Sequence, residues 1–368
     1  MTDSPEEPTG DERAPAAGPY GDLPRFRITE LPTPVRRLHR LEAELDATSL
    51  WVKCDDRSGT LYGGNKPRKL EYLVARALER RRAGLLTTGG TGTHHGLATA
   101  IAARQAGLRC SLVLLPQPVT DHVRKTLRLL HAYGADLYLA ESIAAVAGRV
   151  VRLLTAAKLR GVPLELIPTG GSSALGTVGF VRAGLELAAQ VRAGELPEPD
   201  AVFTALGSGG TAAGLLAGLR AGGLRSRVVA VLVTHTLKPT ERRLASLATA
   251  ALRKLRAADP RLPPLRFRAA DLEIAPDYLG GGYGVATKAG DTATDLALRT
   301  EAMHFEATYT AKAFAAFTDA ARSRRYGEHL LFWNTFSSVD PRAGVDRLPE
   351  PCELPRPFHR FFEGNGAT

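Results

Sequence analysis

At 368 residues, with 44% apolar and 23% charged side chains, the chain has the length of about two domains and the composition of a globular protein. No apolar run approaches the ~20 residues that span a bilayer. The net charge of +10 is spread over helical stretches such as ALERRRAG and VRKTLRLLHAYG without interleaved aromatics, which argues against a nucleic-acid binder.

The first residues, MTDSPEEPTGDERAPAAGPYGD, are acidic and rich in Pro and Gly, with neither a basic nor an apolar stretch. They read as a disordered tail over 1–24 and not as a secretory signal. Three widely spaced cysteines, Cys54, Cys110 and Cys352, form no CxxC pair. That pattern argues against a disulfide framework or a zinc ribbon and fits a reducing cytoplasm.

LPTPVRRLHRLEAELDATSLWVK reads as a turn, a short helix and a strand ending at Lys53. From Lys66 onward, helices and short apolar strands alternate. KLEYLVARALERRRAG is a helix, LLTTGG a strand, HHGLATAIAARQAG a helix, RCSLVLLP a strand and VRKTLRLLHAYG a helix. ADLYLA is the next strand, ESIAAVAGRVVRLLTAAKLRG the next helix, and PLELIPTGG closes the run. The rhythm resumes with DAVFTALGSGGTAAGLLAGLRAG and SRVVAVLVT. Short apolar strands separated by helices predict an α/β chain with parallel sheets covered on both faces.

Ligands of open parallel sheets sit beyond the strand C-termini, so three strand-to-helix loops are the candidate site. LGSGGTAAG, with Gly207, Ser208, Gly209, Gly210 and Thr211, offers converging N–H groups, two hydroxyls and a helix N-terminus. It reads as a cradle for one phosphate, with a plain strand-to-helix turn as the alternative; it lacks the lysine of a nucleotide P-loop. TTGGTGTHHG places Thr93 at a helix start, where it serves as a cap or faces a carboxylate. His94 and His95 are adjacent and do not share a helix face, so no metal site is expected. PTGGSSALG joins a strand to a small-residue stretch and fits either a site loop or close packing between domains.

Lys66 lies between a Gly-Gly-Asn turn and a proline at the mouth of a helix, staging suited to an amine that must lose its charge and attack a carbonyl. Lys69, one turn later, would serve a surface role as well, and spacing alone does not separate the two.

Taken together, TPVRRLHRLEAEL, LWVKCDDRSG, YGGNKPRKLEYLVARAL, IPTGGSSALGTVGF, ALGSGGTAAGL, GGGYG, ATYTAKAF and LFWNTFSS occur in an order that resembles the D-cysteine desulfhydrase and aminocyclopropane-carboxylate deaminase family. These are pyridoxal-phosphate enzymes of the tryptophan-synthase-β type (fold type II), and the resemblance runs from about Leu31 to Ser338. It implies two open twisted parallel-sheet domains with the cofactor, pyridoxal 5′-phosphate, in the crevice between them. A small domain over 65–176 would be inserted into a large one made of 25–64 and 177–350, with a C-terminal tail over 351–368. It implies that Lys66 binds the cofactor covalently and moves the substrate α-proton, and that Asn65 positions the lysine turn. Gly207 to Thr211 would hold the phosphate. Thr93, His94 and His95 would meet the substrate, and Tyr283 and Tyr309 would flank it and move protons.

Three departures narrow the resemblance. Thr310 stands where the deaminases are expected to have a glutamate against the pyridine nitrogen. A hydroxyl there suits β-elimination or β-replacement better than ring opening. Gly92-Thr93-His94-His95 stands for the usual Gln-Ser-Asn-His, so His94, a group able to titrate near neutral pH, replaces the asparagine that bonds the cofactor's ring hydroxyl. WNTFSS replaces a Thr-Gly-Gly-like turn and reshapes one wall. The expectation is a lyase or deaminase of a small amino acid that gives an oxo acid and ammonia, and a homodimer. The alternatives are a β-replacement or ring-opening or ring-forming enzyme, and a non-catalytic cofactor-binding protein.

Overall fold

A computed structural model describes residues 23–234 and 239–363. All but the last two residues of the tail expected over 1–24 lie outside them. In chain order the first elements are β1 (Val35–Arg37), α1 (His39–Leu45), β2 (Ser49–Lys53) and α2 (Asn65–Glu79). An alternating run follows: β3 (Gly84–Gly90), α3 (His94–Gln105), β4 (Arg109–Leu115), α4 (Asp121–Ala132), β5 (Ala135–Leu139), α5 (Ile143–Leu159) and β6 (Leu164–Leu166). Then come α6 (Ala174–Arg192), β7 (Ala201–Leu206), α7 (Gly210–Ala221), β8 (Arg227–Leu232), α8 (Glu241–Ala258), β9 (Glu273–Ala275), α9 (Lys288–Glu301), α10 (Thr310–Ser323) and β10 (His329–Trp333).

The strands form two sheets. One has the order β5-β4-β3-β6 and is parallel throughout. The other has the order β1-β2-β10-β7-β8-β9 and is parallel except for its edge strand β1, which runs antiparallel to β2. Central strands such as AVFTAL of β7 are buried at every residue, because helices cover both faces of a parallel sheet.

Helix starts follow from local chemistry. Thr93, Thr120, Ser142, Ser173, Thr240 and Thr287 each accept a backbone N–H three residues on, satisfying a donor that the helix cannot. The helices α6 and α7 pack closely at Gly184, Gly214 and Gly218, and α2 also packs on α6. This joins the mouth of α2 rigidly to the loop before α7.

Residues 351–363, in the segment assigned to a C-terminal tail, form two short 3-10 turns. Phe358 and Phe361 are buried there, and Arg124 of α4 donates to the Phe361 carbonyl at 3.0 Å. Among the described residues no helix is long and apolar enough to cross a membrane.

Candidate active site

The C-terminal ends of β3, β7 and β10 open on one crevice of about 480 Å³, within the usual range for small-molecule sites. Lys66, the second residue of α2, lies in it. Its Nζ donates to Asn65 Oδ1 at 2.7 Å and sits 5.9 Å from the centre of the Tyr309 ring. Burial lowers this amine to about 8, opposed in part by the Glu306 carboxylate. Asn65 uses its other end to donate to Thr211 Oγ1 at 3.0 Å. A single amide therefore ties the lysine turn to the glycine-rich loop.

Lys69 is not a surface lysine. It is 2% exposed, and its Nζ donates to the Gly170 carbonyl at 3.3 Å and reaches Ser172 Oγ at 3.5 Å. No carboxylate pairs with it among the described residues, and burial with the neighbouring Lys66 charge pushes its amine well down. Residues three apart share a helix face, so the spacing placed Lys69 beside Lys66 without saying that this face is buried.

Around Lys69 the backbone is arranged as a cradle. Gly209 has φ +89, and a Cβ there would lie 2.3 Å from Leu244 Cδ2. A Cβ on Gly210 would lie 2.5 Å from Ser172 Oγ and 3.1 Å from Lys69 Nζ. The Gly210 N–H donates to Ser172 Oγ at 3.0 Å, and the Ser172 and Ser208 hydroxyls are 2.7 Å apart. PTGGSSALG is thus a buttress of the cradle. A buried cation without a counter-charge, converging hydroxyls and the start of α7 fit a phosphate group.

On the opposite side, Thr93 Oγ1 accepts the Gly96 N–H at 3.0 Å as the cap of α3, which leaves its hydroxyl proton free to donate. No acidic residue in the first turn of α3 offsets the positive helix end. The two histidines part. His95 is committed to Thr87 of β3, Nε2 to Oγ1 at 3.0 Å, and Thr87 in turn donates to the Ile167 carbonyl at 2.9 Å. Burial, with Lys66 and Lys69 nearby, holds His95 down to about 3.

His94 faces Tyr62, Nδ1 to the phenol oxygen at 2.9 Å, with the His122 ring 4.7 Å behind it. The expectation that His94 titrates near neutral pH is corrected. Burial first, then His122 and Lys66, lowers it to about 3, so it is neutral at pH 7. Among the described residues no three His, Cys, Asp or Glu side chains converge as a metal would need.

Tyr309 donates to the Tyr283 hydroxyl at 2.8 Å, the rings meeting edge to face at 5.7 Å. Burial raises both phenols, so both are protonated at neutral pH. Thr310 is buried and gives its hydroxyl proton to Glu306 Oε1 at 2.9 Å. Glu306 lines the crevice and also accepts the N–H groups of Thr308, Tyr309 and Thr310 at 2.7 to 3.0 Å. Neither Glu306 nor Tyr62 was singled out from the sequence. An acidic residue just before a helix start was the signal available for Glu306, and Tyr62 had none.

With this geometry in hand, comparison with known proteins gives consistent matches. The family described as pyridoxal-phosphate dependent enzyme matches residues 27–335. The D-cysteine desulfhydrase of Salmonella choleraesuis (strain SC-B67) is 32% identical over 320 residues, covering 85% of this chain and 94% of that protein. The D-cysteine desulfhydrase of Salmonella paratyphi C (strain RKS4594) is 31% identical over the same length. A crystal structure of an ACC deaminase homologue superposes with a TM-score of 0.73 at 29% identity, over 85% of this chain and 92% of that one. A pyridoxal 5'-phosphate-dependent aspartate racemase, at 18% identity and a TM-score of 0.58, shares the fold.

Proposed function

Because this chain belongs to the pyridoxal-phosphate dependent enzymes, we propose that it is a lyase or deaminase. It would eliminate a β-substituent from an α-amino acid to give an oxo acid and ammonia, as a D-cysteine desulfhydrase-like enzyme. Pyridoxal phosphate, when bound, supplies the electron sink that makes an amino acid's α-proton acidic. The cradle of Gly207, Ser208, Gly209, Gly210 and Thr211 would hold its phosphate, with Lys69 as the counter-charge. Lys66 would carry it covalently, and Asn65 would keep that amine turned into the crevice.

The single observation that carries this reading is the division of labour between two lysines three residues apart, Lys69 buried and Lys66 half-buried. Lys69 reaches Gly170 and Ser172 at the anion cradle, whereas Lys66 faces Tyr309 in the open crevice. An amine near 8 is partly neutral at physiological pH, which a nucleophile and a proton acceptor both require. Thr93 and the first N–H groups of α3 would hold the substrate carboxylate. The paired Tyr283 and Tyr309 hydroxyls would pass a proton to the leaving group.

Nδ1 of His94 faces Tyr62, so its other ring nitrogen would donate to the cofactor's ring hydroxyl. His95 would support the carboxylate loop from behind. Thr310 would face the ring nitrogen and, with its own proton committed to Glu306, would offer it an acceptor. A homodimer and a cytoplasmic location belong to the same proposal, the first checked by light scattering.

The test is to incubate the holoenzyme with D- and L-amino acids, D-cysteine first, in deuterated water. Exchange of the α-proton with release of sulfide, pyruvate and ammonia is the expected result. Tightly bound cofactor with no α-proton exchange from any amino acid would end the reading.

A further inference from the structure

We infer that the substrate's β-substituent is a bulky, uncharged, apolar group, so that an S-aryl or S-alkyl cysteine conjugate fits this crevice better than cysteine itself. The inference rests on the elimination reading above and concerns the end of the site that reading leaves unassigned. Away from the cradle, the wall is built of rings. The Phe336 and His94 rings meet edge-on at 5.7 Å, and His94 and Tyr309 at 6.4 Å. Tyr62 holds the His94 ring through its 2.9 Å hydrogen bond. Toward solvent the crevice continues past Ile143, an apolar rim that is 69% exposed among the described residues.

Among the described residues no carboxylate, lysine or arginine belongs to this ring wall. Of the described residues that line the crevice, the acids and bases are Lys66, Lys69, Glu306 and two histidines, and the histidines are neutral. Glu306 is spent on the start of α10, and Lys69 lies at the cradle. A substrate side chain ending in a carboxylate or an ammonium would be buried here without a partner. A bare thiol would leave the ring faces uncovered.

Phe336 is held in place by its backbone. The Asn65 N–H donates to the Thr335 carbonyl at 3.2 Å, and the Gly63 N–H to Ser337 Oγ at 2.8 Å. The Ser338 N–H donates to the Asp56 carbonyl at 3.0 Å. The ring wall is therefore pinned to the same turn that presents Lys66, which fixes its distance from the reacting carbon. In the reaction the Cα proton passes to the Lys66 amine and the Cβ–S electron pair leaves with sulfur, which takes up a proton. Water adds at Cα as ammonia departs, so conjugate plus water gives thiol, pyruvate and ammonia.

The test compares S-benzylcysteine with cysteine, both hands of each, on the holoenzyme, by thiol release, α-proton exchange and equilibrium dissociation constant. The expected result is kcat/KM for one hand of S-benzylcysteine about tenfold to a hundredfold above either hand of cysteine, with tighter binding. Phe336→Ala should erase most of that preference through KM, and Tyr62→Phe part of it. Equal or better turnover of cysteine overturns the inference and leaves elimination standing, as does a preference unmoved by Phe336→Ala. Absence of both thiol release and α-proton exchange from every probe overturns the two together.

Discussion

The two ends of the crevice are built on different principles. At the cradle, glycines, hydroxyls and Lys69 converge on a small volume, and the partners come from loops that the sequence marks by composition. At the ring wall, Tyr62, His94, His122 and Phe336 come from four separate segments, and nothing in any one of them announces the others. The cradle end is where the proposed reading puts the cofactor phosphate. The wall departs from it at the asparagine replaced by His94 and at the turn replaced by NTFSS. On the proposed reading, reaction type and substrate choice are separable in this molecule, one held by backbone and charge, the other by side-chain shape.

Breaking the reactive centre should give the largest effect. Lys66→Ala should lower turnover about a thousandfold or more, read as oxo-acid release, while the fold is kept by circular dichroism. Next comes the counter-charge. Lys69→Met should weaken cofactor binding by about tenfold to a hundredfold, measured by equilibrium dialysis, because a charge-assisted contact to phosphate is lost. If Lys69→Met instead abolished covalent attachment while Lys66→Ala spared it, the division between the two lysines would be reversed.

The lowered lysine sets the pH response. Below about 8 the Lys66 amine is increasingly protonated, so capture of pyridoxal phosphate by the apoprotein should slow by about tenfold per pH unit and level off above it. An amine at its ordinary value would keep accelerating beyond pH 10. His94 and His95, held near 3, should add no inflection between pH 5 and 7. The smallest effect is at the helix start. Glu306→Ala removes the acceptor of three N–H groups at α10 and should cost about 1–2 kcal/mol, seen as a lower denaturant midpoint at unchanged slope.

What was legible in the sequence is what is local. Strands such as AVFTAL and the helix start at Thr93 follow from short-range patterning, and the Lys66 turn and the glycine cradle follow from residue types that few other roles require. Lys69 was half-legible, because helix periodicity puts it on the face of Lys66 without saying which way that face turns. The Tyr62 hydrogen bond to His94 and the His122 ring behind it span 32 and 28 positions, and only the folded chain brings them together. The low value of His94 was illegible for the same reason, since burial is a property of the packed crevice. The same holds for Phe358 and Phe361, two rings in a segment read as a tail that the fold buries beside α4.

On this reading Lys66, and not the more deeply buried Lys69, carries the cofactor. Borohydride reduction of the holoenzyme, followed by peptide mapping, tests it most directly. The expected result is loss of the visible absorption band and a single pyridoxyl adduct on Lys66, with Lys69 unmodified. An adduct on Lys69, or cofactor released without any covalent trace, would contradict it.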